Sequence, residues 1–177
     1  VDFFAPLTEP AAPGRPAKPA RRPFELVFTG SMDWMPNEDA MLHFAERILP
    51  RIAASVPEIV VTVVGRNPMP RLQALARREP RIQLTGRVDD VRPYIDRAAV
   101  FIVPLRVGGG TRIKIYEAMA MARAVVSTTI GAEGLPVVAG EEIVLADEPA
   151  RFADEVIRLV RDGEARRRLE ERARAAV

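Results

Sequence analysis

The chain has 177 residues, 48% of them hydrophobic, and a formal charge of +2, which suits one domain with a substantial buried core. It has no cysteine and one histidine, His43, which excludes disulfide scaffolds, thiolate zinc sites and cysteine nucleophiles and leaves little for a metal centre or a Ser-His-Asp triad. Aromatic residues are 6%, and Arg21-Arg22 and Arg166-Arg167-Arg168 are too short for the basic stripe with aromatic platforms that marks a nucleic-acid surface.

The second basic cluster alternates with Glu164, Glu170 and Glu171 and reads as a salt-bridged helix surface. No apolar run approaches the ~20 residues that span a bilayer. A cytoplasmic protein is the default, no nucleic-acid partner is expected, and peripheral contact with the inner face of a membrane stays open.

Residues 5–23 hold Pro6, Pro10, Pro13, Pro16, Pro19 and Pro23 among Ala, Arg and Lys. Missing backbone donors and fixed φ angles bias such a stretch to extended, solvated conformations. Residues 1–23 are therefore expected to be an interdomain linker outside the core. The opening Val1-Asp2-Phe3-Phe4 looks like the cut end of a preceding domain.

Residues 24–177 form the regular part. Glu25–Gly30 is a short apolar run ending in glycine, as buried strands do. Asn37 is placed to cap a helix whose apolar positions Met41, Phe44, Ala45, Ile48 and Leu49 recur at helical spacing, and Pro50 is expected to end or kink it. Ile59–Gly65 is β-branched at nearly every position, which suits a strand covered on both faces. A helix near 70–78, a strand over 82–85, a short helix over 91–97 and a strand over 99–103 follow. A glycine loop leads into a helix over 112–121. Strands at 124–127 and 142–145 and helices over 150–161 and 164–175 complete the pattern. This alternation predicts an α/β fold, a doubly wound Rossmann-like parallel sheet with helices on both faces. Such sheets bind ligands outside the carboxyl ends of their strands, which singles out the loops after Phe28, Val64, Thr85, Val103 and Ser127.

The loop after Val103 carries the most chemistry. Gly108-Gly109-Gly110-Thr111 runs into a helix that starts with Arg112 and Lys114. Successive glycines let backbone amides approach an anion, and a helix N-terminus adds unpaired N–H groups. The helix dipole contributes about 0.3–1 kcal/mol, against roughly 1.5–3 kcal/mol for each hydrogen bond to a charged group. The two cations would therefore decide whether a diphosphate binds tightly. A flexible turn with two solvated cations is the equal alternative.

Positions 113, 116, 117, 120 and 121 share one helical face and read Ile, Tyr, Glu, Ala, Met, which sets Glu117 in an apolar stripe. A carboxylate there needs a partner. The candidates are two sugar hydroxyls, in the way an acidic residue holds a ribose in dinucleotide folds, and Lys114 at i−3. Gly65-Arg66 and Gly86-Arg87-Val88 end two strands at the same edge and either flank a nucleobase or are plain turns. Gly30-Ser31 is a third candidate wall for phosphate or sugar. His43 lies with Asp39 and Arg47 opposite the apolar positions and reads as a surface residue. Trp34 and Met35 sit in an irregular loop near the edge, where they either shape a sugar pocket or pack.

Taken in order, Leu26–Gly30, Val63–Gly65, Thr85–Val88, Phe101–Pro104, Gly110–Met119 and Gly131–Gly134 resemble the C-terminal domain of retaining glycosyltransferases of family 4 (group 1), which have the GT-B fold. The likeness runs over about 150 residues. The opening tetrad is similar to that family's junction between its two domains, and Ser31–Asn37 to a bacterial exopolysaccharide-associated branch.

The resemblance implies a donor site for a UDP- or GDP-sugar, no cofactor, no metal, and transfer of a hexose with retention. It places Gly108, Gly109, Gly110 and Thr111 around the diphosphate and sugar, where Arg112 and Lys114 would stand in for the family's usual basic pair beside the candidate wall of Gly30 and Ser31. It puts Glu117 on the ribose and Arg87 and Val88 beside the base, next to the candidate loop of Gly65 and Arg66. A glycan or lipid-linked acceptor would be held by an N-terminal domain outside this segment, which would bring the catalytic groups, and the last helices stop before the crossover that packs back on that domain. This segment alone would then bind donor without turnover.

Three departures from the family pattern stand out. Gly109 occupies the first position of the E-x7-E motif. Ser31 and Pro36 stand where Arg and Lys commonly follow the first strand. Ala122-Arg123-Ala124 replaces Gly-x-Pro, which implies a looser turn. A sugar-nucleotide epimerase and a non-catalytic nucleotide-binding scaffold are the alternatives.

Overall fold

Six short strands of mostly β-branched and aromatic residues form the centre of the molecule. They are β1 (Glu25–Thr29), β2 (Val60–Val64), β3 (Ile82–Leu84), β4 (Val100–Val103), β5 (Val125–Ser127) and β6 (Val144–Leu145). The structure is a computed structural model that describes residues 3–7, 20–108 and 112–177. All strand pairs are parallel, in the order β3-β2-β1-β4-β5-β6. Val27 faces both Thr62 of β2 and Phe101 of β4, so the direction of winding reverses at β1 and β4.

A parallel sheet needs cover on both faces. Leu26 and Phe28 point to one face, packed with α1 (Met35–His43), α2 (Leu49–Ser55), α3 (Pro70–Arg78) and α6 (Pro149–Arg161). Val27 and Phe101 point to the other, with α4 (Arg92–Arg97) and α5 (Ile113–Ala120). The last helix, α7 (Gly163–Ala175), reaches both cores through Leu169 and Ala173. This is the expected doubly wound α/β architecture.

Four local expectations are corrected. The first helix begins at Met35 with Trp34 as its N-cap, and Asn37 lies inside it. Pro36 near the first helical position gives up no hydrogen bond there, so the helix starts early. Pro50 does not end the helix. A π-helical stretch over Phe44–Ile48, closed by the Leu49 N–H to the Phe44 carbonyl, lets the chain continue helically to Ser55.

The proline-rich stretch is not wholly outside the core, because Leu7 is buried in the second cluster. Arg92 stacks on the Phe3 ring at 3.8 Å and donates to the Phe3 carbonyl at 3.3 Å. Arg21 reaches Glu170 at 2.6 Å. Proline removes backbone donors but leaves neighbouring apolar side chains free to fill a gap.

The turn after α5 is tight. The Arg123 N–H reaches the Ala118 carbonyl at 2.9 Å and the Ala122 N–H reaches that of Met119 at 2.8 Å. Ala122 takes the left-handed position at φ +52° that glycine usually fills.

Candidate functional site

At the carboxyl edge, where β1 and β4 diverge, the strand-end loops enclose two adjoining cavities. The larger, about 560 Å³, is lined by Thr29, Gly30, Ser31, Val64, Gly65, Arg66, Arg87, Val88, Val91, Ile113, Lys114 and Glu117. The smaller, about 190 Å³, is lined by Gly30, Trp34, Pro36, Asn37, Leu105, Val107, Gly108, Arg112, Lys114 and Gly131. Gly30 and Lys114 belong to both walls. The structure thus gathers Gly30, Ser31, Gly65, Arg66, Arg87, Val88, Gly108, Arg112, Lys114 and Glu117 around one cleft. Gly109, Gly110 and Thr111 lie outside the described residues.

Two glycines set the wall. A Cβ on Gly65 would stand 1.7 Å from the Gly30 carbonyl oxygen. One on Gly30 would stand 2.7 Å from Asn37 Nδ2 and 3.0 Å from Lys114 Nζ. The first two strand-end loops therefore meet backbone to backbone, with the Gly30 N–H donating to the Val64 carbonyl at 3.0 Å.

Lys114 is the central cation. Its Nζ donates to Asn37 Oδ1 at 2.9 Å and lies 4.2 Å from the centre of the Phe28 ring. Burial lowers its pKa to about 8, opposed by Glu117 and helped by Arg112. Glu117, one turn along α5, has its pKa raised by burial and lowered in part by Lys114. The apolar stripe of α5 differs from the expected one. Ile115, Ala118 and Met119 are buried and Ile113 is exposed, so Glu117 lies at the border of the stripe and opens to the cleft.

Arg112 is buried. Its guanidinium donates to the Gly108 carbonyl at 3.1 Å and to Glu133 at 3.3 Å, while its Nε has no protein partner among the described residues. It holds the glycine loop as well as contributing charge. At the mouth, Ser31 Oγ donates to Asp33 at 2.6 Å and accepts from Arg66 Nε at 3.0 Å. Asn67 bonds the other Asp33 oxygen at 2.8 Å. The Asn67 bond, then Ser31 and Arg66, hold the Asp33 pKa low. The Ser31 hydroxyl is thus engaged in joining the first loop to the second.

His43 lies outside the cleft, in a polar hollow with Asp39, Arg47 and Arg106. Burial and Arg106 lower its pKa. Sequence reasoning missed Asn37 as a site residue. Its amide donates to the Ser31 carbonyl at 2.9 Å while its oxygen receives Lys114. The only signal was a buried-type polar residue one position after a helix-starting proline. Among the described residues no cluster of three His, Cys, Asp or Glu side chains could hold a metal, and no helix is long and apolar enough to cross a membrane.

A parallel sheet of this order, with its cleft at the reversal of winding and a cation and carboxylate on the bordering helix, defines a Rossmann-like domain with a candidate cleft at the switch point. Comparison with known proteins makes this particular. Residues 23–162 match the family described as glycosyl transferases group 1, and the chain belongs to that family. An uncharacterized 44.6 kDa protein in the cps region of Klebsiella pneumoniae is 25% identical over 140 residues, which are 75% of this chain and 36% of that protein.

Among solved structures, a variant of TarM from S. aureus, in complex with Fondaparinux, alpha-GlcNAc-glycerol and UDP, superposes with a TM-score of 0.76 at 15% identity, over 90% of this chain and 33% of that one. The C-terminal domain of the group 1 family protein LpcC from Francisella tularensis superposes at 0.73 with 16% identity, over 99% and 94%. Anabaena HepE, in complex with UDP and glucose, superposes at 0.68 with 16% identity, over 86% and 42%. The fold is therefore that of the C-terminal half of a GT-B protein. The chain spans about a third of the length of the K. pneumoniae and TarM relatives.

Proposed function

We propose that this chain, over residues 24–177, is the donor-binding domain of a retaining, metal-independent glycosyltransferase. It takes a UDP- or GDP-sugar, without a cofactor. A preceding domain joined through residues 1–23 presents a glycan or lipid-linked acceptor at the cytoplasmic side. The observation that carries this reading is the pair Lys114 and Glu117 on one helix, facing a cleft at the switch point.

The chemistry follows from the placement. A diphosphate over the wall shared by Gly30 and Lys114 meets a cation freed from water, where its charge acts more strongly than in solution. As the bond from sugar to phosphate breaks, negative charge grows on the leaving oxygen, and Lys114 with the dipole at the start of α5 balances it. The nucleoside then extends into the larger cavity. There Glu117 accepts hydrogen bonds from the ribose hydroxyls, and Gly65, Arg66, Arg87 and Val88 flank the base. The UDP present in the TarM and HepE structures supports a uridine nucleotide.

The test is thermal. UDP or GDP at 100 times its dissociation constant stabilises the chain by roughly 2.7 kcal/mol. Glu117→Ala weakens that nucleotide about tenfold or more, the loss of hydrogen bonds to a charged group, with the melting point of the free protein held or raised. No shift with any nucleoside diphosphate at millimolar concentration removes the donor-site reading. Unchanged nucleotide affinity in Glu117→Ala returns that carboxylate to a pairing role with Lys114.

A further inference from the structure

Trp34 is the single tryptophan of the chain, and 58% of it is exposed. Its backbone is nevertheless held firmly. The Trp34 N–H donates to the Ser31 carbonyl at 3.3 Å, and its own carbonyl accepts from Asn37 at 2.9 Å and Glu38 at 3.3 Å as α1 begins. The indole makes no aromatic pairing or cation–π contact among the described residues. A large exposed ring on an anchored backbone at the wall of a cavity is placed to meet a ligand there.

The ring borders the smaller cavity, whose walls divide by chemistry. Trp34, Pro36, Leu105 and Val107 supply an apolar side, and Asn37, Arg112 and Lys114 supply donors. Among the described residues, Gly30, Gly108 and Gly131 line the rest of the wall without side chains. A pyranose has matching halves, with C–H groups over a ring face and hydroxyls around the equator. Apolar walls with a few placed polar groups are the usual form of a small-molecule subsite.

We propose that Trp34 is a specificity-determining platform on which the ring of the donor sugar stacks. The inference rests on the donor-site reading above. Gly30 and Lys114 wall both cavities, so a diphosphate seated on them sends its nucleoside one way and its sugar the other. The larger cavity holds Glu117, which leaves the smaller one, with Trp34, to the sugar. The stack favours sugars with an unbroken C–H face and tolerates changes at the hydroxyls it does not touch.

The experiment compares free nucleotides with nucleotide sugars on the 177-residue chain. UDP, UDP-glucose, UDP-N-acetylglucosamine, GDP and GDP-mannose are titrated by calorimetry, with the emission of Trp34 followed in parallel. A binding nucleotide sugar is expected to perturb the emission well beyond its parent nucleotide. Trp34→Ala is expected to weaken that nucleotide sugar on the order of fivefold to tenfold while the parent nucleotide keeps its affinity, and Trp34→Phe to stay within about twofold of the native chain.

Equal losses for nucleotide and nucleotide sugar in Trp34→Ala overturn the proposal, because the residue then merely shapes the loop. Unchanged affinities overturn it too. Emission perturbed by free glucose or N-acetylglucosamine alone, at the same concentrations, overturns the donor assignment and moves the platform to the acceptor. In each of these outcomes a bound nucleoside diphosphate leaves the donor-site reading standing. Failure of every nucleotide to bind removes both.

Discussion

The two edges of the sheet handle charge in opposite ways. At the amino edge, Glu25 is almost fully buried and held by the protein through one of its oxygens. Oε1 accepts from Thr62 at 2.5 Å and from Arg97 at 2.9 Å, while Oε2 has no hydrogen-bond partner among the described residues and lies 3.7 Å from Arg22. At the carboxyl edge, among the described residues, Lys114 has one amide oxygen and an aromatic face, and Lys114 is the charge that acts on Glu117. Burial shifts both groups toward their neutral forms. At one edge a buried carboxylate is tied to two side chains through one oxygen, and at the other a cation and a carboxylate border an open cleft. A group satisfied internally stabilises the fold, and one left short is available to a ligand.

The largest effect should come from breaking the ion pair at the amino edge. Glu25→Ala leaves Arg97 and the Thr62 hydroxyl without their acceptor. Removing one partner of a buried ion pair costs about 3–5 kcal/mol, and the partial exposure of Arg97 places this case near the lower figure. Urea denaturation should show a loss of about 3 kcal/mol. Nucleotide affinity of the remaining folded protein should be unchanged. A parallel loss of affinity would mean that the two edges are coupled and the contrast is false.

The second effect lies at the carboxyl edge and depends on pH. Lys114 has a pKa of about 8 in the folded chain, below its ordinary value of 10.5 because it is buried. Between those values the unfolded chain holds a proton that the folded chain lacks. The contribution of this site to stability therefore rises with pH across that window. Diphosphate binding needs the ammonium, so affinity moves the other way, falling by up to about tenfold per pH unit above 8. Calorimetry at pH 7, 8 and 9 should show this fall with proton uptake on binding. Lys114→Gln should weaken binding about tenfold at pH 7 and flatten both trends. An unaltered pH profile in that variant would hand the titration to another group.

The same contrast explains what the sequence disclosed. The strands and their helices were legible because a parallel sheet demands unbroken apolar runs, and Val60–Val64 and Val100–Val103 have little else. The cleft followed from topology, since loops after strands that run the same way collect at one edge. Glycine next to Arg112 and Lys114 marked the chemistry within it. Other features depended on contacts made across the chain. Asn37 reads as a cap until Lys114, 77 positions away, reaches its oxygen. Pro50 reads as a helix end until a π-turn absorbs it, and Leu7 as linker until it packs against the second core. The apolar face of α5 was misjudged because Ile113 looks buried by type, whereas it stands exposed at the cleft. The segment Gly109–Thr111, which includes the departure from E-x7-E, lies outside the described residues.

The smallest predicted effect sharpens the comparison at the level of the backbone. The cleft loops place glycine or asparagine at positive φ, as at Gly86 (+69°), Gly108 (+118°) and Asn67 (+53°), whereas the turn from α5 back to the amino edge places Ala122 at +52°. A left-handed conformation costs an L-residue roughly 1–2 kcal/mol, which glycine does not incur. Part of that gain is lost to the greater freedom of glycine in the unfolded chain. Ala122→Gly should therefore stabilise the domain by about 1 kcal/mol or less, read as a rise in urea midpoint with the slope unchanged. Nucleotide affinity should not move, because Ala122 lies at the far end of α5 from Lys114. A destabilised variant would mean that the Ala122 methyl packs well enough to outweigh the strain, and that the turn, though tight, is not where this edge holds strain.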